Sequence, residues 1–181
     1  MAIVAADILI KLATTAGTAG NQGAGTPTTG SDYGKYISTT EVSGTALNNL
    51  FDDITGQENF DSDVEYRPVF VHNSHGSLTM QNTVVYISAE TAGGASAALG
   101  ADTTASSALG SASAQALTIA NENTAPAGVS FSSPTTRGTG VSLGNIAAGS
   151  VKAFWIRRTA ANTVALNNDG LTFTVSCDTA A

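Results

Sequence analysis

The strongest constraint on this fold is the alternation Leu171-Thr172-Phe173-Thr174-Val175-Ser176-Cys177-Asp178, which puts Leu171, Phe173, Val175 and Cys177 on one side. A period of two fits a half-buried β-strand and no other regular structure. Comparable segments recur at 1–12, 33–40, 66–73, 78–88, 116–120, 128–132, 141–146 and 151–158, separated by Gly, Ser, Thr, Asn and Pro. Strands at this spacing without helices between them predict an all-β protein, an Ig-like or jelly-roll β-sandwich.

Local punctuation refines the pattern. Pro68 predicts an edge position or a bulge, because proline donates nothing to a ladder. Asn73-Ser74-His75-Gly76-Ser77 predicts a hairpin-like turn, and Asn82 a break in register. Leu47, Leu50 and Phe51 share a face at helical spacing, so 43–53 is the one segment expected to turn helically. Residues 92–114 are Ala, Gly, Ser and Thr with few large side chains and predict a long loop or weak hairpin. The stretch 13–31 has almost nothing to bury and would span roughly 65 Å if fully extended.

With 181 residues the chain can bury one fair core. Charged residues make up 12%, about half the usual share, which points to surface covered by neighbours. A net charge of −7 opposes nucleic-acid binding, and Arg157-Arg158 is the one adjacent basic pair. The start has no basic region ahead of its apolar residues, so no secretory signal is expected. No apolar run approaches the roughly 20 residues that span a bilayer, so no membrane partner is expected. A single cysteine, Cys177, excludes an intrachain disulfide and reads as a small hydrophobe on its strand.

Chemistry-bearing patterns are weak. His72 and His75 are the only histidines, with no further ligand at zinc spacing beside them, so a turn-capping or exposed histidine is expected. Asp61, Asp63 and Glu65 would share a face if extended, yet they lack the glycine and spacing of a calcium loop. No serine sits in a recognisable nucleophile turn. The glycine-rich stretches near 17–25 and 93–100 match neither a P-loop nor a dinucleotide fingerprint. The expectation is therefore no catalytic residue, no metal and no cofactor. In the 154–156 strand, one face of Phe154-Trp155-Ile156 is expected in the core and the other against a neighbouring subunit.

Three stretches resemble small virion structural proteins of tailed bacteriophages. They are Leu50-Phe51-Asp52-Asp53-Ile54-Thr55-Gly56 running into Asp63-Val64-Glu65-Tyr66-Arg67, Ala120-Asn121-Glu122-Asn123-Thr124-Ala125-Pro126-Ala127-Gly128-Val129, and Phe154-Trp155-Ile156-Arg157-Arg158-Thr159. Within that group the chain looks most like capsid cement or decoration proteins. The resemblance implies a homotrimer on the outer capsid surface of the virion, made in the host cytoplasm and bridging copies of the major capsid protein. It also implies an extended N-terminal arm over 1–60 making intersubunit or capsid contacts, and a β-sandwich body over 61–181 carrying the loop 92–114. Competing expectations are a tail, neck or head-fibre component with an Ig-like domain that binds host-surface glycans, and a glycan-processing enzyme with two facing carboxylates.

Overall fold

The computed structural model describes residues 2–18, 33–45 and 48–179, and its period-two segments assemble into two antiparallel sheets. The strands are β1 (Ile8–Thr14), β2 (Tyr36–Glu41), β3 (Val64–Asn73), β4 (Met80–Glu90), β5 (Ser96–Ala101), β6 (Ser107–Ala108), β7 (Val141–Ile146), β8 (Ser150–Thr159) and β9 (Leu171–Thr179). A short helix, α1 (Gly56–Asp61), precedes β3. The larger sheet runs β2-β1-β3-β8-β5, with β6 also paired to β8, and the smaller runs β7-β4-β9. The molecule is an all-β sandwich.

Between the sheets lies one core, built from Val69 and Val71 of β3, Leu99 of β5, Phe154 and Ile156 of β8, and Met80, Val85, Ile87, Leu143 and Ile146 of the smaller sheet. Phe154 meets Phe173 of β9 edge-on, with centroids 5.4 Å apart. A second core occupies the opposite face of the larger sheet. There Phe70, Val151, Ala153 and Trp155 pack under Ala114, Ala116 and Ile119, with Val129 and Phe131 beside them. The larger sheet is thus buried on both faces, so β8 reads as a continuous apolar run through 153–156 rather than an alternation.

Two crossovers between the sheets meet at one corner. Asn73, fully buried, donates through Nδ2 to the carbonyls of Leu78 and Ile146 at 2.8 and 2.9 Å. Its carbonyl accepts from Gly149 N–H at 2.9 Å. Gly149 has φ +69°, a conformation that costs a side-chain-bearing residue more than glycine. One amide therefore ties β3–β4 to β7–β8. The turn 73–77 carries the chain from one sheet to the other and is not a hairpin.

Other expectations change as well. Residues 8–14 and 36–41, expected in the arm, are strands of the larger sheet, with β1 between β2 and β3. Position 60 therefore does not separate an arm from a body, while residues 19–32 lie outside the described residues. Within 92–114, β5 pairs with β8 over six registered residues and β6 over two. The expected strands at 116–120 and 128–132 are coil, held by the isolated bridges Tyr36–Gln115 and Leu99–Ser132. No helix forms among the described residues of 43–53; Leu47 lies outside them, and the helix begins at Gly56 with Thr55 as its cap.

Pro68 lies in an interior strand, paired with Trp155 of β8. It is tolerated because the β1 ladder ends at Leu12–Val69, one residue earlier. Tyr66 N–H, on the same side of β3, turns instead to the Glu122 carbonyl at 2.7 Å. Asn82 does break the register of β4, at φ +48°.

Candidate functional site

At one end of the inter-sheet core, β3 and β8 carry charge where hydrophobes would continue the pattern. Glu65 stands opposite Arg158 in the ladder, and Arg67 follows two residues later on the same face. Arg67 is fully buried and Glu65 is 5% exposed. Arg158 binds the Glu65 carboxylate through Nη2 and through Nε, the latter at 2.7 Å. Arg67 Nη2 reaches Glu122 at 2.5 Å and lies 3.9 Å from both Glu65 and Asp52. Both guanidiniums stack on the Phe51 ring, at 5.1 Å for Arg67 and 4.7 Å for Arg158. Burial pushes the Glu65 carboxyl above its ordinary value, and the Arg158 and Arg67 charges oppose that rise. The cluster fastens residues 51–52 and 122 to the sandwich.

Beside it runs an open groove of about 1400 Å³ between residues 42–45 and 48–56 on one side and residues of 161–173 on the other, floored by Ile10, Ile156 and Phe173. The carboxylates on its wall are engaged with their own chain. Glu90 accepts from Ala97 N–H and Asp169 from Ala95 N–H, both at 2.6 Å, and Asp53 accepts from Asn48 Nδ2 at 3.0 Å. Next to the groove, Asn59 Nδ2 donates to the Thr163 carbonyl at 2.6 Å and Asn162 Nδ2 to the Phe60 carbonyl at 3.1 Å. These bonds hold α1 against the 161–169 loop. Large apolar side chains there face solvent: Phe60 is 71% exposed, Val164 88% and Leu166 44%.

The second core has its own polar anchor. Asp102, 2% exposed, accepts from Trp155 Nε1 at 2.7 Å, Leu117 N–H at 2.9 Å and Thr104 N–H at 2.6 Å. Lys152 Nζ donates to the Asp102 and Thr104 carbonyls. Burial lowers the Lys152 pKa, and the Asp102 charge partly restores it.

The residues singled out in the sequence fall in separate places. His75 Nδ1 accepts from Ser77 and Leu78 N–H at 3.1 and 3.0 Å, capping its turn. His72 lies on β3, its Nδ1 buried without a partner. Asp61 ends α1, and Ser62 at φ +55° turns the chain, so Asp61, Asp63 and Glu65 are not one extended row. Asp63 instead accepts from Asn123 Nδ2 at 2.9 Å. Cys177 is half-buried on the inward face of β9, where burial raises its pKa. Among the described residues no three His, Cys, Asp or Glu gather to hold a metal, and no helix is long and apolar enough to cross a membrane.

The outer side of β8 overturns one expectation directly. Val151, Ala153 and Trp155 are covered by this chain's own residues 109–131 and not by a neighbouring subunit. Arg157 and Arg158 diverge as adjacent strand residues must, Arg157 over Phe131 on one face and Arg158 over Phe51 on the other.

The Glu65–Arg67–Arg158 cluster escaped the sequence reading. Its trace was the spacing of Glu65 and Arg67 in an otherwise apolar strand. Comparisons of the chain with known protein families, with curated proteins and with solved structures find no match.

Proposed function

We propose that this protein is a virion structural protein of a tailed bacteriophage, a cement protein that binds the outer surface of an assembled capsid shell. The observation that carries its first part, binding to another protein, is the exposure of Phe60 on α1 and of Val164 and Leu166 on the adjoining loop, two segments joined by the Asn59–Thr163 and Asn162–Phe60 bonds. Clustered apolar side chains on a braced surface mark protein contacts. The capsid as partner rests on the sequence resemblance.

Function is then thermodynamic. A protein that binds the assembled shell and not its free subunits stabilises the shell by mass action, and many copies add avidity. The contact surface lies on α1 and the 161–169 loop. Removal of residues 1–40 is not a clean test, since it deletes β1 and breaks the larger sheet.

The test is co-sedimentation of the purified chain with shells lacking it, comparing wild type with F60S/V164S. Both substitutions fall on exposed side chains, so the melting temperature should stay within a degree or two while binding drops at least tenfold. Unchanged binding would refute this surface, and absence of wild-type binding would refute the capsid partner. Copy number per particle separates locations: on the order of hundreds for a shell protein, about a dozen for a neck or tail part.

A further inference from the structure

We infer that β9 is a pairing edge for a second copy of this chain, joined antiparallel about a twofold axis through Val175. The inference goes beyond shell binding and does not depend on it. An open sheet has two edges, so this sandwich has four, one of them shared by β5 and the two-residue β6, and three are blunted. β2 is bridged by Gln115, with Ala116 N–H donating to the Lys35 carbonyl at 2.9 Å. β5 is closed by Ser132, which exchanges hydrogen bonds with Leu99 at 2.7 and 3.0 Å. β7 is six residues long and interrupted at Gly144, φ +73°, where its register shifts.

β9 has none of these devices. It runs nine residues without proline or lysine. Both irregularities in its ladder put the extra residues in β4, which leaves β9 regular. Among the described residues, no backbone N–H or carbonyl of β9 bonds to backbone other than that of β4. Its inward row Phe173, Val175 and Cys177 is half-buried, although the residues it packs on are almost wholly buried. Its one charge, Asp178, is neutralised in place by Arg137, with Asn82 Nδ2 donating at 3.0 Å. An exposed, regular, nearly uncharged edge is a template for another strand.

The strand's own sequence selects a second copy as that strand. About Val175 the inward row is self-complementary: Val175 meets its equivalent, Phe173 meets Cys177 and Leu171 meets Thr179. On the other face Thr174 meets Ser176 and Thr172 meets Asp178. The register thus sets apolar residues against each other at its centre and places Asp178 opposite Thr172, so no like charges meet across the junction.

Light scattering on the full chain tests this. The expected mass is twice 18.1 kDa. The variant T174K/S176K, whose substitutions sit on the solvent side and oppose each other across the junction, should be monomeric with an unchanged circular dichroism spectrum. T174E/S176E should behave alike, and mixing the two should restore the dimer, because opposite charges then face each other. A wild-type monomer or trimer overturns the inference, as does a dimer that survives both variants or a mixture that stays monomeric. Each of those results leaves the F60S/V164S shell-binding result standing, so the two readings fail separately.

Discussion

Trp155 Nε1 donates a 2.7 Å hydrogen bond to Asp102 Oδ2, and the two residues are 0% and 2% exposed. The bond joins β8, an interior strand of the larger sheet, to the chain that covers its outer face. Trp155→Phe keeps an aromatic ring, loses part of the indole volume and removes the donor, so it should cost about 1–3 kcal/mol. Asp102→Ala strands one buried and two part-buried N–H groups and should cost about 3 kcal/mol or more. Denaturant unfolding with an unchanged slope checks both. Equal losses in the two variants would refute Asp102 as the organiser of the network.

Gly100 lies where the cover approaches β5 closely. A Cβ there would meet Val129 Cγ1 at 2.5 Å and the Ser130 carbonyl oxygen at 2.9 Å. Because one of those atoms is backbone, Gly100→Ala must displace 129–131 and should cost about 1–3 kcal/mol. Hydrogen exchange localises the effect. The paired amides of Leu99 and Ser132 should lose protection first, and those joining β4 to β9 should keep theirs.

How much of this was legible follows from the same elements. Strands β3, β4, β7, β8 and β9 announced themselves through large apolar residues at period two or in runs. The cover did so only in part: its larger apolar residues, Ile119, Val129 and Phe131, read as strands at 116–120 and 128–132 that are coil, and Ala114 and Ala116 pack on β8 with small side chains that carry little hydropathy signal. Low charge therefore read as surface awaiting a neighbour, when part of it belongs to a segment folded onto its own sheet. The Glu65–Arg158 pair was invisible for another reason. A cross-strand contact depends on register between residues 93 positions apart, and spacing along the chain does not encode it.

Arg67 is the most deeply buried charge in that cluster. Replacing it with methionine retains volume but leaves Glu65 with less compensation and Glu122 without its partner. Removing one member of a buried ion pair costs about 3–5 kcal/mol, and Arg67→Met should fall in that range by chemical denaturation. A loss below about 1 kcal/mol would show instead that the cluster behaves as a solvent-screened surface pair.

His72 gives the fold an acid sensitivity of its own. Burial lowers its pKa from the ordinary 6.5, and the positive charge of Lys11 lowers it further. The folded protein therefore resists a proton that the unfolded chain accepts. Stability from this residue is complete above pH 6.5 and is lost as pH falls through the lowered folded value, below which it levels off. The wild-type melting temperature should decline from pH 7.5 towards pH 5. In His72→Gln, which cannot titrate, the decline over that interval should be shallower, the remaining slope coming from other groups. If the two profiles stay parallel from pH 7.5 to 5, His72 titrates alike in both states and its burial has no consequence for stability.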